Sequence, residues 1–115
     1  MAASGVANMG RVATEISLAN YWDVLRAQNG ELAPDLVRRT TISGIVDTGA
    51  ARLVLPQSAV DELGLRIDGE TSVRYADHRT ARRQIVRDVW LQLCGRASDF
   101  SAIVEPDRQD ALIGA

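Results

Sequence analysis

The run Ile45-Val46-Asp47-Thr48-Gly49-Ala50 puts a carboxylate at the end of an apolar stretch, followed at once by a hydroxyl and a glycine. Charge beside apolar surface is costly, so an acid in this position is paired, hydrogen-bonded or functional. The glycine lets the backbone turn tightly and come close to another chain or a ligand. Read without function, Thr48 is a strand-end threonine satisfying its own turn, and Gly49 is an ordinary turn glycine. The remaining reactive side chains offer less. Cys94 is the sole cysteine, with no base in its neighbourhood, and His78 is the sole histidine, which cannot hold a metal alone. No Ser-His or Cys-His arrangement is present, which suits chemistry that needs no covalent intermediate.

The elements that must position Asp47 follow from periodicity. Val12, Ile16 and Leu18 fall on one parity, with Thr14 between them, and predict a strand over 11–18. Asn20 suits a helix N-cap, and a short helix over 21–28 stops at Gly30. Ala33-Pro34-Asp35 reads as a turn. The Thr- and Ile-rich stretch 37–46 predicts a strand that delivers Asp47 at its end, and Leu53-Val54-Leu55 a second short strand after the turn. Pro56 suits the first position of a helix with Ala59, Val60 and Leu63 inward, Asp61 and Glu62 in solvent, and Gly64 as its stop. Strands over 66–76 and 80–93 form a hairpin with Asp77-His78 at the tip, and Val86, Val89, Leu91 and Leu93 mark the inward face of the second arm. Gly95-Arg96 is a turn, 100–104 a strand and Pro106-Asp107-Arg108 a loop. About seven short strands with one or two short helices predict a mostly all-β domain, a small closed antiparallel barrel.

Composition sets the bounds. The 115 residues fit one domain with a modest core, and 46% apolar with 24% charged residues fits a globular protein. Residues 1–8 are small and patternless and are expected to be disordered, leaving a domain over 9–115. No run approaches the ~20 apolar residues needed to cross a bilayer, so no membrane association is expected. Met1-Ala2-Ala3-Ser4-Gly5-Val6 has neither a charged start nor a long apolar core, which predicts no signal peptide, and a single cysteine fits a reducing cytoplasm. A net charge of −2 argues against nucleic acid as a partner. Arg74, Arg79, Arg82, Arg83 and Arg87 do concentrate around the hairpin, but without interleaved aromatics. A solvated face is the plain reading of these arginines; a preference for acidic residues in a ligand or substrate is the sharper one.

The bare Asp-Thr-Gly triplet arises by accident in roughly one chain of this length in fifty. Its context is more specific. An alternating strand leads in, Arg52-Leu53-Val54-Leu55-Pro56 leads out, and Ala111-Leu112-Ile113-Gly114-Ala115 follows some sixty residues later, with Arg74-Tyr75-Ala76-Asp77-His78-Arg79 between them. From about Met9 onward the chain resembles the retropepsin-like, retroviral-type family of aspartic proteases. The resemblance implies an acid-protease barrel that works as a homodimer and hydrolyses peptides bound in extended conformation, with no cofactor and no metal. Asp47 and its symmetry mate would be the catalytic pair. Thr48 would bond across the dimer and hold the two loops, and Gly49 would let the substrate backbone lie close. Ala50, with Ala76, Asp77 and His78 of the flap, would contact substrate; a glycine is usual at the flap tip, where His78 stands here. Leu112 and Ile113 would pack under the Asp47 loop, with Gly114 allowing close backbone passage. Family members normally continue into a helix and a final strand, which the sequence ending at Ala115 would lack.

Two carboxylates about 3 Å apart cannot both ionise near neutrality, so such a pair shares one proton. Its ionised member draws a proton from water while its protonated member donates to the substrate carbonyl. The chain carries one Asp-Thr-Gly, so the second acid would come from another copy across a two-fold axis. An aspartic endopeptidase with acid-shifted activity, inhibited by statine-type transition-state mimics, is the leading expectation. The alternative is a catalytically inactive domain of the same fold that binds extended peptides or a partner protein.

Overall fold

A computed structural model describes residues 11–47, 52–93 and 95–114. Among the described residues there are seven strands and two α-helices: β1 (Arg11–Asn20), α1 (Tyr21–Gln28), β2 (Arg39–Asp47), β3 (Leu53–Pro56), α2 (Gln57–Leu63), β4 (Arg66–Arg74), β5 (Thr80–Leu93), β6 (Arg96–Glu105) and β7 (Ala111–Gly114). A single 3-10 turn, Pro34–Leu36, takes up the expected Ala33-Pro34-Asp35 turn. The segment 1–8, the Thr48-Gly49-Ala50 part of the motif and Cys94 lie outside the described residues.

Local chemistry explains the helix ends. The Asn20 side chain accepts from the Asp23 backbone N–H, which starts α1. Gly64 closes α2 in the left-handed region at φ 61°. A Cβ there would also meet the Arg38 guanidinium, the movable end of a long side chain, so it is the left-handed turn that calls for glycine. Pro56 differs from expectation. It ends β3 and serves as the N-cap of α2 with no side-chain cap bond, so α2 starts at Gln57.

The strands close in the order β1-β2-β7-β3-β6-β5, with β5 pairing back to β1; β4 joins only β5. The result is a closed six-stranded barrel with a β4–β5 hairpin attached. Two pairings are parallel, β2 with β7 and β3 with β6, and β7 lies between β2 and β3. The core holds Ile16 and Leu18 of β1, Leu53 and Leu55 of β3, Val60 and Leu63 of α2, and Val86, Val89 and Leu91 of β5. Three details depart from simple alternation. Val12 shares the parity of Ile16 and Leu18 yet is 57% exposed, because β5 covers β1 only from Ser17 to Asn20. Val37 is buried although β2 starts at Arg39. Val86 and Val89, three apart, both point inward because a bulge intervenes, with Asp88 at φ 63°. The last strand before the Pro106 loop starts at Arg96 rather than Phe100, directly after Gly95 at φ 77°.

Candidate active site

Asp47 is the last residue of β2, opposite Gly114 of β7 in a parallel ladder and Arg11 of β1 in an antiparallel one. Alternation decides which way it faces. Two residues on β2, Ile42 and Gly44, mark the core side: Ile42 packs on the core, and a Cβ on Gly44 would sit 3.2 Å from the Ile113 and Ile16 side-chain tips. Ile45 and Asp47 therefore face away from the core. The same logic sorts the neighbouring strands. Ala111, Ile113, Leu53, Leu55, Ala102, Val104 and Val86 pack in or against the core, while part-buried Leu112, Val54 and Ile85 and buried Ile103 alternate to the far side.

Register joins these far-side residues into a row. Ile45 pairs with Leu112, Leu112 with Val54, Val54 with Ile103, and Ile103 with Ile85. An apolar strip thus crosses β2, β7, β3, β6 and β5 on the face that carries Asp47, with half-buried Asp47 one step off its end. Val54, Ile85 and Ile103 were not singled out in the sequence. Their only signal is that they fall between core residues in alternating strands, a position usually solvated.

The β7 residues split across the sheet. Leu112 lies on the Asp47 face, Ile113 packs against the core, and Gly114 stands directly opposite Asp47. Beside this strand end opens a cleft of about 290 Å³ lined by Arg52, Leu53, Leu91, Phe100, Ser101, Ile113 and Gly114.

Ala76, Asp77 and His78 form the exposed tip of the β4–β5 hairpin. Tyr75 N–H donates to the Arg79 carbonyl at 2.9 Å, and His78 N–H to the Tyr75 carbonyl at 2.9 Å. His78 takes φ 70°, a left-handed conformation that glycine adopts more cheaply. The Asp77 carboxylate accepts from the Arg79 Nε at 2.6 Å and from its backbone N–H at 3.1 Å. The Arg79 side-chain bond, ahead of the backbone one, holds the Asp77 carboxyl below its usual range. Further along, Arg82 meets Glu70, Arg83 meets Glu105 and Arg87 meets Asp68. These pairs offset much of the hairpin's positive charge, which favours the solvated-face reading of its arginines. The tip of the hairpin is also tied to β6: Tyr75 Oη donates to Glu105 Oε2 at 2.6 Å, and this bond pushes the phenol above its ordinary pKa.

Among the described residues no three His, Cys, Asp or Glu side chains are grouped as a metal ion requires. No helix among them is long and apolar enough to cross a membrane.

Residues 29–115 match a protein family described as aspartyl protease. No curated protein matches the chain. Among solved structures, the EIAV protease complexed with the inhibitor HBY-793 aligns over 90% of this chain and 81% of its own, at TM-score 0.63 and 16% identity. A foamy viral protease-reverse transcriptase in complex with an RNA/DNA hybrid aligns over 65% of this chain at TM-score 0.53 and 20% identity; this chain spans only 9% of that one. A retropepsin-like aspartic protease from Rickettsia conorii aligns over 90% of this chain and 77% of its own, at 17% identity and TM-score 0.46. At such identities the first two likenesses speak for the fold alone. The family match covers most of the sequence, including Asp47 and all of β7, and it leads to one conclusion: this chain belongs to the aspartyl protease family.

Proposed function

We propose that this protein is an aspartic endopeptidase, active as a homodimer, in which Asp47 and the Asp47 of a second copy activate a water against a peptide bond. The observation that carries this reading is the placement of Asp47. It ends β2 on the face turned away from the core, one step from the apolar row Ile45–Leu112–Val54–Ile103–Ile85. Such a strip fits alternate side chains of an extended peptide, and the carboxylate at its end is where a scissile bond would meet it.

In the proposed reaction the pair of aspartates holds one proton between two oxygens. The ionised acid removes a proton from water as its oxygen attacks the carbonyl carbon, and the other acid protonates the carbonyl oxygen. The tetrahedral diol then collapses: the C–N bond breaks, the amine nitrogen takes a proton, and the pair returns to its single shared proton. Thr48 and Gly49 would hold the loop and let the substrate backbone approach. Ala50 and the tip residues Ala76, Asp77 and His78 would contact the peptide, and Leu112 and Gly114 would back the Asp47 strand.

The test is cleavage of a peptide library by the wild type and by Asp47→Asn, beside sedimentation across a concentration series. Activity that rises with dimer fraction and vanishes in Asp47→Asn is expected. Cleavage retained by Asp47→Asn rejects the proposal. A stable monomer that binds extended peptides and cleaves none supports the inactive-domain alternative.

A further inference from the structure

The β4–β5 hairpin leaves the barrel part-way along its length. The β5–β6 ladder ends at Ile85 opposite Ile103, whereas the β4–β5 ladder runs on to Arg74 opposite Thr80. Beyond Ile85 the hairpin is therefore a two-stranded ribbon, a form with little stability of its own. A three-residue tie meets it there. Tyr75, at the base of the tip, donates its hydroxyl to Glu105 Oε2 at 2.6 Å, and Arg83 Nε donates to Glu105 Oε1 at 2.8 Å. The Arg79 and Arg83 guanidinium groups lie 5.5 and 5.9 Å from the centre of the Tyr75 ring. Glu105 ends β6 and pairs with Pro56 of the barrel. Its side chain is 15% exposed and that of Arg83 26%, so water competes poorly for these bonds.

Alternation puts this tie on a particular side. Arg83 and Ile85 share one parity of β5, and Ile103 and Glu105 share one parity of β6, with Ile85 and Ile103 directly opposed. Tyr75, Arg83 and Glu105 thus belong to the face that carries the apolar row and Asp47. We propose that Tyr75 is a positioning residue: its bond to the Arg83-held Glu105 sets the height of the 76–78 tip over that face, and peptides enter by breaking it. The kinetic part of this proposal rests on the peptidase reading above; the structural part does not.

Amide hydrogen exchange on the full chain tests it, with Tyr75→Phe, Glu105→Ala and Glu105→Gln as variants. Loss of one charge-assisted bond predicts a rise of about tenfold in exchange at the Tyr75 and His78 amides, with β2 and β7 unchanged. Tyr75→Phe and Glu105→Ala combined should do no more than either alone, and Glu105→Gln, which keeps an acceptor for the phenol, should do less. With a peptide that the wild type cleaves, Tyr75→Phe should change KM by about threefold or more and leave kcat within about twofold. Unchanged exchange at the tip overturns the proposal, as does a rise shared equally by β2 and β7, which would make the bond one of general stability. A looser tip with unaltered KM overturns the positioning role. If the wild type cleaves no peptide, the peptidase reading fails while exchange still decides whether Tyr75 holds the tip.

Discussion

Asp23 and Asp47 are two aspartates at element boundaries of the same barrel, one fully buried in a helix and the other part-buried at a strand end. Asp23, in the first turn of α1, is 2% exposed. Its carboxylate accepts from Arg38 three times, from the backbone N–H at 3.1 Å, from Nε at 2.8 Å and from Nη2 at 3.0 Å. Its own N–H donates to Asn20 Oδ1, and Asn20 Nδ2 donates to the Leu63 carbonyl at the end of α2. One acid thus joins α1, α2 and the approach to β2, and the Arg38 bond holds its carboxyl below the usual range. Asp47 stands half-buried where β2 ends, on the face that carries the apolar row. A carboxylate enclosed by three donors from one arginine is spent on structure, whereas under the proposed function the acid beside the apolar strip is the one used for chemistry.

The comparison breaks most sharply by removing the carboxylate at each site. Asp47→Asn is expected to lower peptide cleavage by on the order of a thousandfold or more while thermal unfolding stays within about 2 °C of wild type. A matching loss of stability would place Asp47 in the same structural class as Asp23. Asp23→Ala should do the reverse. Removing the acceptor for three Arg38 donors is expected to cost about 3 kcal/mol, a fall in Tm of roughly 10–20 °C, measurable by calorimetry. Residual cleavage below the new Tm should scale only with the folded fraction.

A pH series sharpens the contrast. The Asp23 pKa is lowered in the folded state, chiefly by the Arg38 side-chain bond, so its contribution is present above the ordinary aspartate range and is lost as the pH falls through the folded value. The Tm gap between wild type and Asp23→Asn should therefore be widest near neutrality and narrow in acid. A gap that widens as the pH falls would contradict the clamp. The smallest effect is expected at the hairpin tip. His78→Gly removes a side chain from φ 70° and should stabilise the tip by a few tenths to about 1 kcal/mol, since glycine's greater unfolded-state freedom offsets part of the relief. Slower exchange at the Tyr75 amide would register it.

Much of the fold was legible because it is local. The Asn20 cap, the Gly64 stop, the hairpin tip at Asp77-His78 and the strand that presents the motif each depend on a few adjacent residues, and the structure places them where spacing says. The Asp23–Arg38 clamp was not legible, since its partners lie 15 residues apart and neither side chain announces the other. Nor was the Tyr75–Glu105 bond, across 30 residues. The four residues Val86, Val89, Leu91 and Leu93 were read together as inward, but only the bulge at Asp88 reconciles their parity.

The amino-acid order alone determined the chemistry this protein can attempt and the short elements that carry it, because caps, turns and alternation act between near neighbours. Which residues stand beside Asp47 was decided only when β7 entered between β2 and β3. That parallel pairing sets Gly114 opposite the acid and lines up Leu112, Val54, Ile103 and Ile85. Register between distant strands follows from closing one barrel around one core, and no single segment contains that information.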